Sequence, residues 1–390
     1  MTADTFFRDL PFTPDRFQVE AAESIASGRS VVVTAPTGAG KTLVAEVAVH
    51  LALERGQRAF YTTPIKALSN QKYGDLVDDY GAHRVGLLTG DNVVNGSADV
   101  VVMTTEVLRN MIYADGPSLD GVGVVILDEV HYLQDPFRGA VWEEVIIHAP
   151  RHIQMVALSA TIANAVEFSE WIESRRGPTD LIVAEERPVP LEGLYMIKDR
   201  YSQEITLLPT FVEREGRRRP NPRIRRMLNL DRGRARRFTT PRRPEVIEAL
   251  WEADMLPALY FIFSRAGCDA AALSILEWGL RLTTPEQRED IRRIAEERTA
   301  HLSDTDLAVL GYDRWIAGLE AGVAAHHAGM VPAFKETVEE LFARGYLKVV
   351  FATETLALGI NMPARTVVLE SLTKFTGETH ETMQPGDYTQ

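Results

Sequence analysis

The 390-residue sequence holds a single cysteine, Cys268, so no internal disulfide can form. That cysteine reads as a small core residue near a helix start. No charged-then-apolar stretch opens the chain, and no apolar run is long enough to cross a bilayer; the expectation is a cytoplasmic chain without membrane contact. Net positive charge is also missing. At −13, the chain is not built to coat nucleic acid with its whole surface. No tandem repeat of 20–50 residues is present. His326-His327 lacks the cysteine or carboxylate spacing that zinc would need, so no metal is expected there.

The length suits two domains of ordinary size, each able to bury its own core. Charge is distributed unevenly. Residues 214–243 carry thirteen arginines against Glu215 and Asp231, a local balance of +11, which leaves −24 for the rest. Low apolar content predicts a mobile or extended insert here. As an electrostatic arm it would meet a nucleic acid or another partner through charge, since Phe238 is its only aromatic residue. A solvated loop is the alternative.

Residues 1–187 alternate β-rich runs with helical stretches, the clearest runs being Ser30–Ala35, Ala59–Thr63, Val100–Thr104, Val122–Leu127 and Gln154–Leu158. Such alternation predicts a parallel sheet covered by helices, with ligands at the carboxyl ends of strands. Arg187-Pro-Val-Pro190 reads as a linker, because its prolines disfavour a helix. A second alternating unit starts near Glu245, with runs Ala258–Phe263, Val323–His326, Leu347–Ala352 and Thr366–Leu369. Residues 281–320 read as helical connections.

Ala35-Pro-Thr-Gly-Ala-Gly-Lys41-Thr42 lies between the run Ser30–Thr34 and a helical pattern from Leu43 to Leu53. A strand, a glycine turn and a helix N-terminus aim backbone N–H groups and the helix dipole at one point. Pro36, Thr37, Gly38, Ala39 and Gly40 would cradle phosphates, Lys41 would reach the β- and γ-phosphates, and Thr42 would hold Mg²⁺. The ligand so read is a nucleoside triphosphate. Ala35 stands where this loop usually opens with glycine.

Asp128-Glu129-Val-His131 ends the run Val122–Leu127. One carboxylate there, Asp128, can hold Mg²⁺, and the next, Glu129, can orient and deprotonate a water. Ser159-Ala-Thr161 follows another apolar strand, where its hydroxyls could relay between nucleotide and a second ligand.

Further segments complete an ordered set: Phe17-Gln18, Thr63-Pro-Ile-Lys-Ala-Leu-Ser69, Leu88-Thr-Gly-Asp91, Thr104-Thr-Glu106, Phe263-Ser-Arg265, His326-His-Ala-Gly-Met330 and Phe351 through Pro363. In combination they resemble the superfamily 2 DExH-box helicases, more narrowly the superkiller and exosome-cofactor RNA helicases, including the actinobacterial HelY proteins. The resemblance covers nearly the whole chain. It implies an α/β fold of two tandem RecA-like P-loop domains with parallel sheets, residues 1–187 and 188–390, the second containing a basic insert at about 198–243. ATP would lie in the cleft between them, with single-stranded or 3′-tailed RNA across both. By resemblance, Phe17 and Gln18 read the adenine, and Gly359 and Asn361 complete the nucleotide site. Pro64, Lys66, Thr89, Gly90, Thr105 and Glu106 would grip the strand in the first domain, and Ser264, Arg265, Thr353 and Thr355 in the second. Ser159 and Thr161 would couple the two ligands. Lys41, Asp128, Glu129 and His131 form the catalytic set. Ser371–Gln384 occupies the place of a strand-separating β-hairpin, and His326 and His327 belong to packing near the RNA path. A nuclease or RNA-degradation partner is implied.

The family pattern continues past the segment Phe351 through Pro363 into a further, arginine-bearing motif, whose first letter coincides with Gln390. The missing arginines would stabilise charge on the γ-phosphate, so the expectation is ATP binding with slow hydrolysis by residues 1–390 alone. The usual winged-helix and helical-bundle domains are also absent, which makes processive unwinding unexpected. A DNA helicase or repair translocase, and a non-catalytic ATP-gated binding module, are the alternatives.

Overall fold

A computed structural model describes residues 4–8, 10–90, 92–114, 119–135, 138–160, 162, 164–214, 216–230, 237–353, 356, 362–375 and 380–383. The chain divides into two compact units, Met1–Pro190 and Leu191–Thr389.

The first unit is built on eight strands: β1 (Ser30–Thr34), β2 (Arg58–Thr63), β3 (Val85–Thr89), β4 (Asn92–Val94), β5 (Val100–Thr104), β6 (Val122–Leu127), β7 (Gln154–Ser159) and β8 (Thr179–Val183). They form one sheet in the order β4-β3-β5-β2-β6-β7-β1-β8, in which only the edge strand β4 runs antiparallel to its neighbour. β1 and β6 are buried at every residue, which is why both are rich in valine and free of charged residues. The helices are α1 (Asp4–Arg8), α2 (Arg16–Ala26), α3 (Lys41–Glu54), α4 (Lys66–Tyr80), α5 (Thr105–Tyr113), α6 (Gly139–His148) and α7 (Ala165–Arg176). One face of the sheet packs on α2, α3 and α4 through residues such as Ile25, Val44 and Leu76. The other packs on α5, α6 and α7 around the fully buried Trp142.

In the second unit, the strands β9 (Leu194–Asp199), β10 (Ile205–Pro209), β11 (Phe211–Arg214) and β12 (Arg217–Pro220) lead into α8 (Pro222–Leu230) and β13 (Phe238–Thr239). β10, β9 and β13 make an antiparallel sheet, and β11 and β12 pair as a hairpin. This corrects the expectation of a mobile or extended insert: its described residues are regular structure, held by backbone pairing rather than by apolar burial.

After α9 (Arg243–Glu252) comes β14 (Ala258–Phe261), then α10 (Arg265–Trp278), α11 (Pro285–Thr299), α12 (Asp304–Leu310), α13 (Tyr312–Ala321), β15 (Val323–His326), α14 (Pro332–Ala343), β16 (Val349–Ala352) and β17 (Thr366–Leu369). The four strands form a parallel sheet, β15-β16-β14-β17. One face is covered by α9 and α10, where Cys268 is buried, and the other by α11, α13 and α14. β18 (Thr373–Phe375) and β19 (His380–Thr382) pair antiparallel, a hairpin where one was expected. Among the described residues, no helix is long and apolar enough to cross a membrane.

Candidate active site

Strands β1, β7 and β6 are neighbours, and parallel pairing puts their carboxyl ends on one edge. Three predicted segments therefore meet there: the glycine loop after β1, Ser159 at the end of β7 and Asp128-Glu129 after β6. The Ala35 amide donates to the Ser159 carbonyl at 3.1 Å, tying loop to strand. Ala35 itself is fully buried in the core and has no positive φ, so a methyl group is accommodated where glycine is usual.

Gly38 and Gly40 have φ of +81° and +83°, a region costly to residues with a Cβ. A Cβ on Gly40 would also lie 2.6 Å from Gln18 Nε2. Gln18 Nε2 donates to the Gly40 carbonyl at 2.9 Å, and its Oε1 accepts from the Asp15 amide at 2.7 Å. The side chain predicted to read adenine thus also braces the loop. Phe17 beside it is buried in the core. The turn closes with the Ala39 amide on the Pro36 carbonyl at 3.1 Å, with Thr37 exposed. Lys41 Nζ donates to the carbonyls of Ala35 (2.9 Å) and Pro36 (3.2 Å). Burial pushes its pKa down, against the pull of Glu129 and Asp128.

Asp128 is buried. Its Oδ2 accepts from the Tyr61 hydroxyl at 2.8 Å, and its Oδ1 from the Glu129 amide at 2.9 Å. Burial raises its pKa, opposed by those donors. Glu129 takes φ +52°, a left-handed conformation uncommon for glutamate. Burial and the Asp128 charge push its carboxyl up to about 7, while Lys41 and Lys72 pull it back. His131 Nδ1 lies 3.3 Å from Glu129 Oε2 and 3.5 Å from the Ala160 amide. Burial, then repulsion from Lys41, bring the imidazole down to about 4, so it is neutral at pH 7. His131 Nε2 and Ser159 Oγ are buried without a partner among the described residues.

Tyr61, Lys72 and Arg138 carried no sequence signal. Lys72 Nζ lies 3.5 Å from Thr42 Oγ1, a second cation facing the acidic pair. Arg138 donates to the Pro64 carbonyl and to Glu106 Oε1, the latter at 2.6 Å, with its amide on Asp135 at 3.0 Å. It ties together two of the segments expected to grip a strand. Thr105 Oγ1 donates to the Thr63 carbonyl at 3.2 Å, while Lys66 and Gly90 are exposed and Thr89 is buried.

In the second unit, Ser264, Arg265 and Thr353 follow the carboxyl ends of β14 and β16. Ser264 caps α10, accepting from the Gly267 amide at 3.1 Å, and Arg265 is exposed. His326 meets Glu339 at 2.7 Å and His327 meets Asp269 at 3.0 Å, which gives both buried rings a packing role. The expectations for Thr161, Thr355, Gly359 and Asn361 lie outside the described residues.

Residues 15–168 match the DEAD/DEAH box helicase family model. The chain is 52% identical to the probable helicase HelY of Mycobacterium tuberculosis, over 99% of this chain and 44% of that protein. It is 39% identical to the chloroplastic DExH-box ATP-dependent RNA helicase DExH15 of Arabidopsis thaliana, over 96% of this chain and 35% of that protein. It is 37% identical to the exosome RNA helicase MTR4 of Homo sapiens, over 98% of this chain and 37% of that protein. The chain thus spans less than half the length of these relatives.

Proposed function

Residues 15–168 form a DEAD/DEAH box helicase domain, and on that premise we propose that the chain is the ATP-hydrolysing core of an RNA helicase. The observation that carries this reading is the meeting of the glycine loop, Asp128-Glu129 and Ser159 on one sheet edge, with Glu129 tuned to titrate near neutrality.

ATP is the substrate. The amides of Gly38, Gly40, Lys41 and Thr42, at the N-terminus of α3, face its phosphates. Lys41 exchanges the Ala35 and Pro36 carbonyls for phosphate oxygens, which relieves the desolvation of its ammonium. Among the described residues no cluster of three acids or histidines could hold a metal ion unaided. The donors present, the Thr42 hydroxyl and the remaining lone pairs of Asp128, suit Mg²⁺ that takes its other ligands from phosphates and water. Mg²⁺ held there would supply positive charge that offsets the negative charge developing on the leaving ADP. Tyr61 and the Glu129 amide hold Asp128 in place. Glu129 accepts the proton of the attacking water, a task suited to a carboxylate with a raised pKa. Neutral His131, within 3.3 Å of Glu129, carries a change at this carboxylate toward the Ala160 amide beside Ser159. RNA is favoured as the strand because two of the relatives reported above are RNA helicases. An RNA-degradation partner follows from the same relationship.

The test is ATP turnover by the chain with single-stranded RNA, with DNA of the same sequence, and with neither. RNA is expected to raise a slow basal rate more than DNA does. Glu129→Gln is expected to abolish turnover while retaining ATP binding, and Lys41→Ala to weaken that binding. Wild-type turnover in Glu129→Gln overturns the chemistry. Stimulation by DNA alone replaces RNA with the DNA alternative.

A further inference from the structure

Ten of the thirteen arginines of residues 214–243 lie among the described residues, and these ten fall into two groups. Arg237 is paired with Asp199 at 2.8 Å, Arg242 with Glu245 at 2.7 Å and Arg243 with Glu370 at 2.8 Å, so these three are neutralised within the fold. Arg214, Arg217, Arg218, Arg219, Arg223, Arg225 and Arg226 are all exposed, and none joins an ion pair among the described residues. They sit together on the β11–β12 hairpin and the helix α8 that follows it.

This cluster works against itself. Arg214 and Arg217 are directly opposed across the hairpin, where like charges repel. Arg223 and Arg226 are one helical turn apart, with the same effect. The segment is nevertheless held in a defined shape. Asn221 is buried between hairpin and helix: its amide donates to the Thr210 carbonyl at 2.9 Å and its Nδ2 to the Pro209 carbonyl at 2.8 Å. Its Oδ1 accepts from the Arg223 amide at 2.9 Å, capping α8. Arg218 lies over the Phe211 ring at 4.7 Å. Glu213 faces Arg218 across the hairpin, and an external polyanion relieves the repulsion among the remaining cations.

The chemistry of the cations narrows that polyanion. No lysine occurs between Lys198 and Lys335, so every cation here is a guanidinium, whose planar fork matches a phosphate bidentately. Phe211 is the only aromatic residue on the hairpin and helix, and Arg218 covers it, so stacked bases have no place. We propose that residues Phe211–Leu228 form a sequence-independent docking platform for the sugar-phosphate backbone of a nucleic-acid strand, additional to the loops at the sheet edges. The inference rests on the reading that the chain acts on nucleic acid, but not on that nucleic acid being RNA.

Binding of the full chain to a labelled single strand of about 20 nucleotides, as RNA and as DNA, is measured between about 50 and 200 mM salt. Each contacted phosphate on a single strand contributes about 0.7 to the slope of log affinity against log salt. R217S/R218S/R219S and R223S/R225S/R226S should each flatten that slope by about 2 and weaken binding at least about 10-fold, on both strands. The corresponding lysine triples should restore most of the slope, which separates lost charge from lost folding. Wild-type slope and affinity in both serine triples overturn the platform, and so does a wild-type chain that binds neither strand; arginines serving an acidic protein partner would give the first of these results. If DNA alone stimulates ATP turnover while the serine triples still flatten the DNA slope, the RNA reading fails and the platform stands.

Discussion

Glu129 and His131 are 3.3 Å apart and titrate in opposite directions from their ordinary values. For Glu129, the folded-state value of about 7 lies above the ordinary 4.5, so the folded protein binds more protons between those values. Stability is therefore lost as pH rises through that window and stays lost above it. For His131, lowered to about 4, the unfolded chain binds more protons between about 4 and 6.5, and stability is lost as pH falls. Comparing Glu129→Gln with wild type at each pH isolates the glutamate. The variant should be more stable by about 3 kcal/mol at pH 8 and by less than about 1 kcal/mol at pH 5 in urea unfolding. An equal difference at both values would mean that the carboxyl is unshifted. The pair Asp128-Glu129 and Lys41 were legible in the sequence because adjacent acids after an apolar strand, with a glycine loop upstream, form a local pattern. Tyr61 and Lys72 were not, since each reaches the site from a strand or helix whose own spacing says nothing about its neighbour.

At the scale of elements, the active-site loop is braced from outside its own motif. Gln18 on α2 holds Gly40 at 2.9 Å, and Gly40 is a position where a Cβ would both force an unfavourable φ and strike that amide. Arg138 plays the corresponding part for the segment after β2 and the first turn of α5, bonding the Pro64 carbonyl and Glu106. Arg138→Ala should leave ATP affinity unchanged while lowering RNA stimulation of ATP turnover at least about 10-fold, because the two segments lose a common charged anchor. Arg138→Lys, with one point charge instead of a fork, should recover only part of the loss. Full RNA stimulation in Arg138→Ala would show the anchor to be purely structural. The insert before α9 shows where patterning misleads at this scale. Its low apolar content pointed to a mobile or extended insert, yet β11 and β12 pair as a hairpin and the buried Asn221 ties that hairpin to a helix.

At the scale of the molecule, each unit has helices on both faces of a mainly parallel sheet and two hydrophobic clusters of its own. Residues 1–190 expressed alone should therefore unfold cooperatively in urea and bind an ATP analogue in a Lys41-dependent manner; a molten, non-cooperative fragment would contradict this. The local balance of +11 within a chain of −13 is a second molecular property, and it confines attraction for polyanions to a limited region. By itself the sequence determined the alternation of strands and helices, the phosphate loop and the acidic pair, because each is written in contiguous residues with a fixed spacing. Only the tertiary structure decided that Tyr61 holds Asp128, that Arg138 joins Pro64 to Glu106, and which arginines of the basic segment are neutralised. Apart from the local pair Arg242–Glu245, those pairings join residues from 32 to 127 positions apart, brought together by packing and strand order rather than by local pattern.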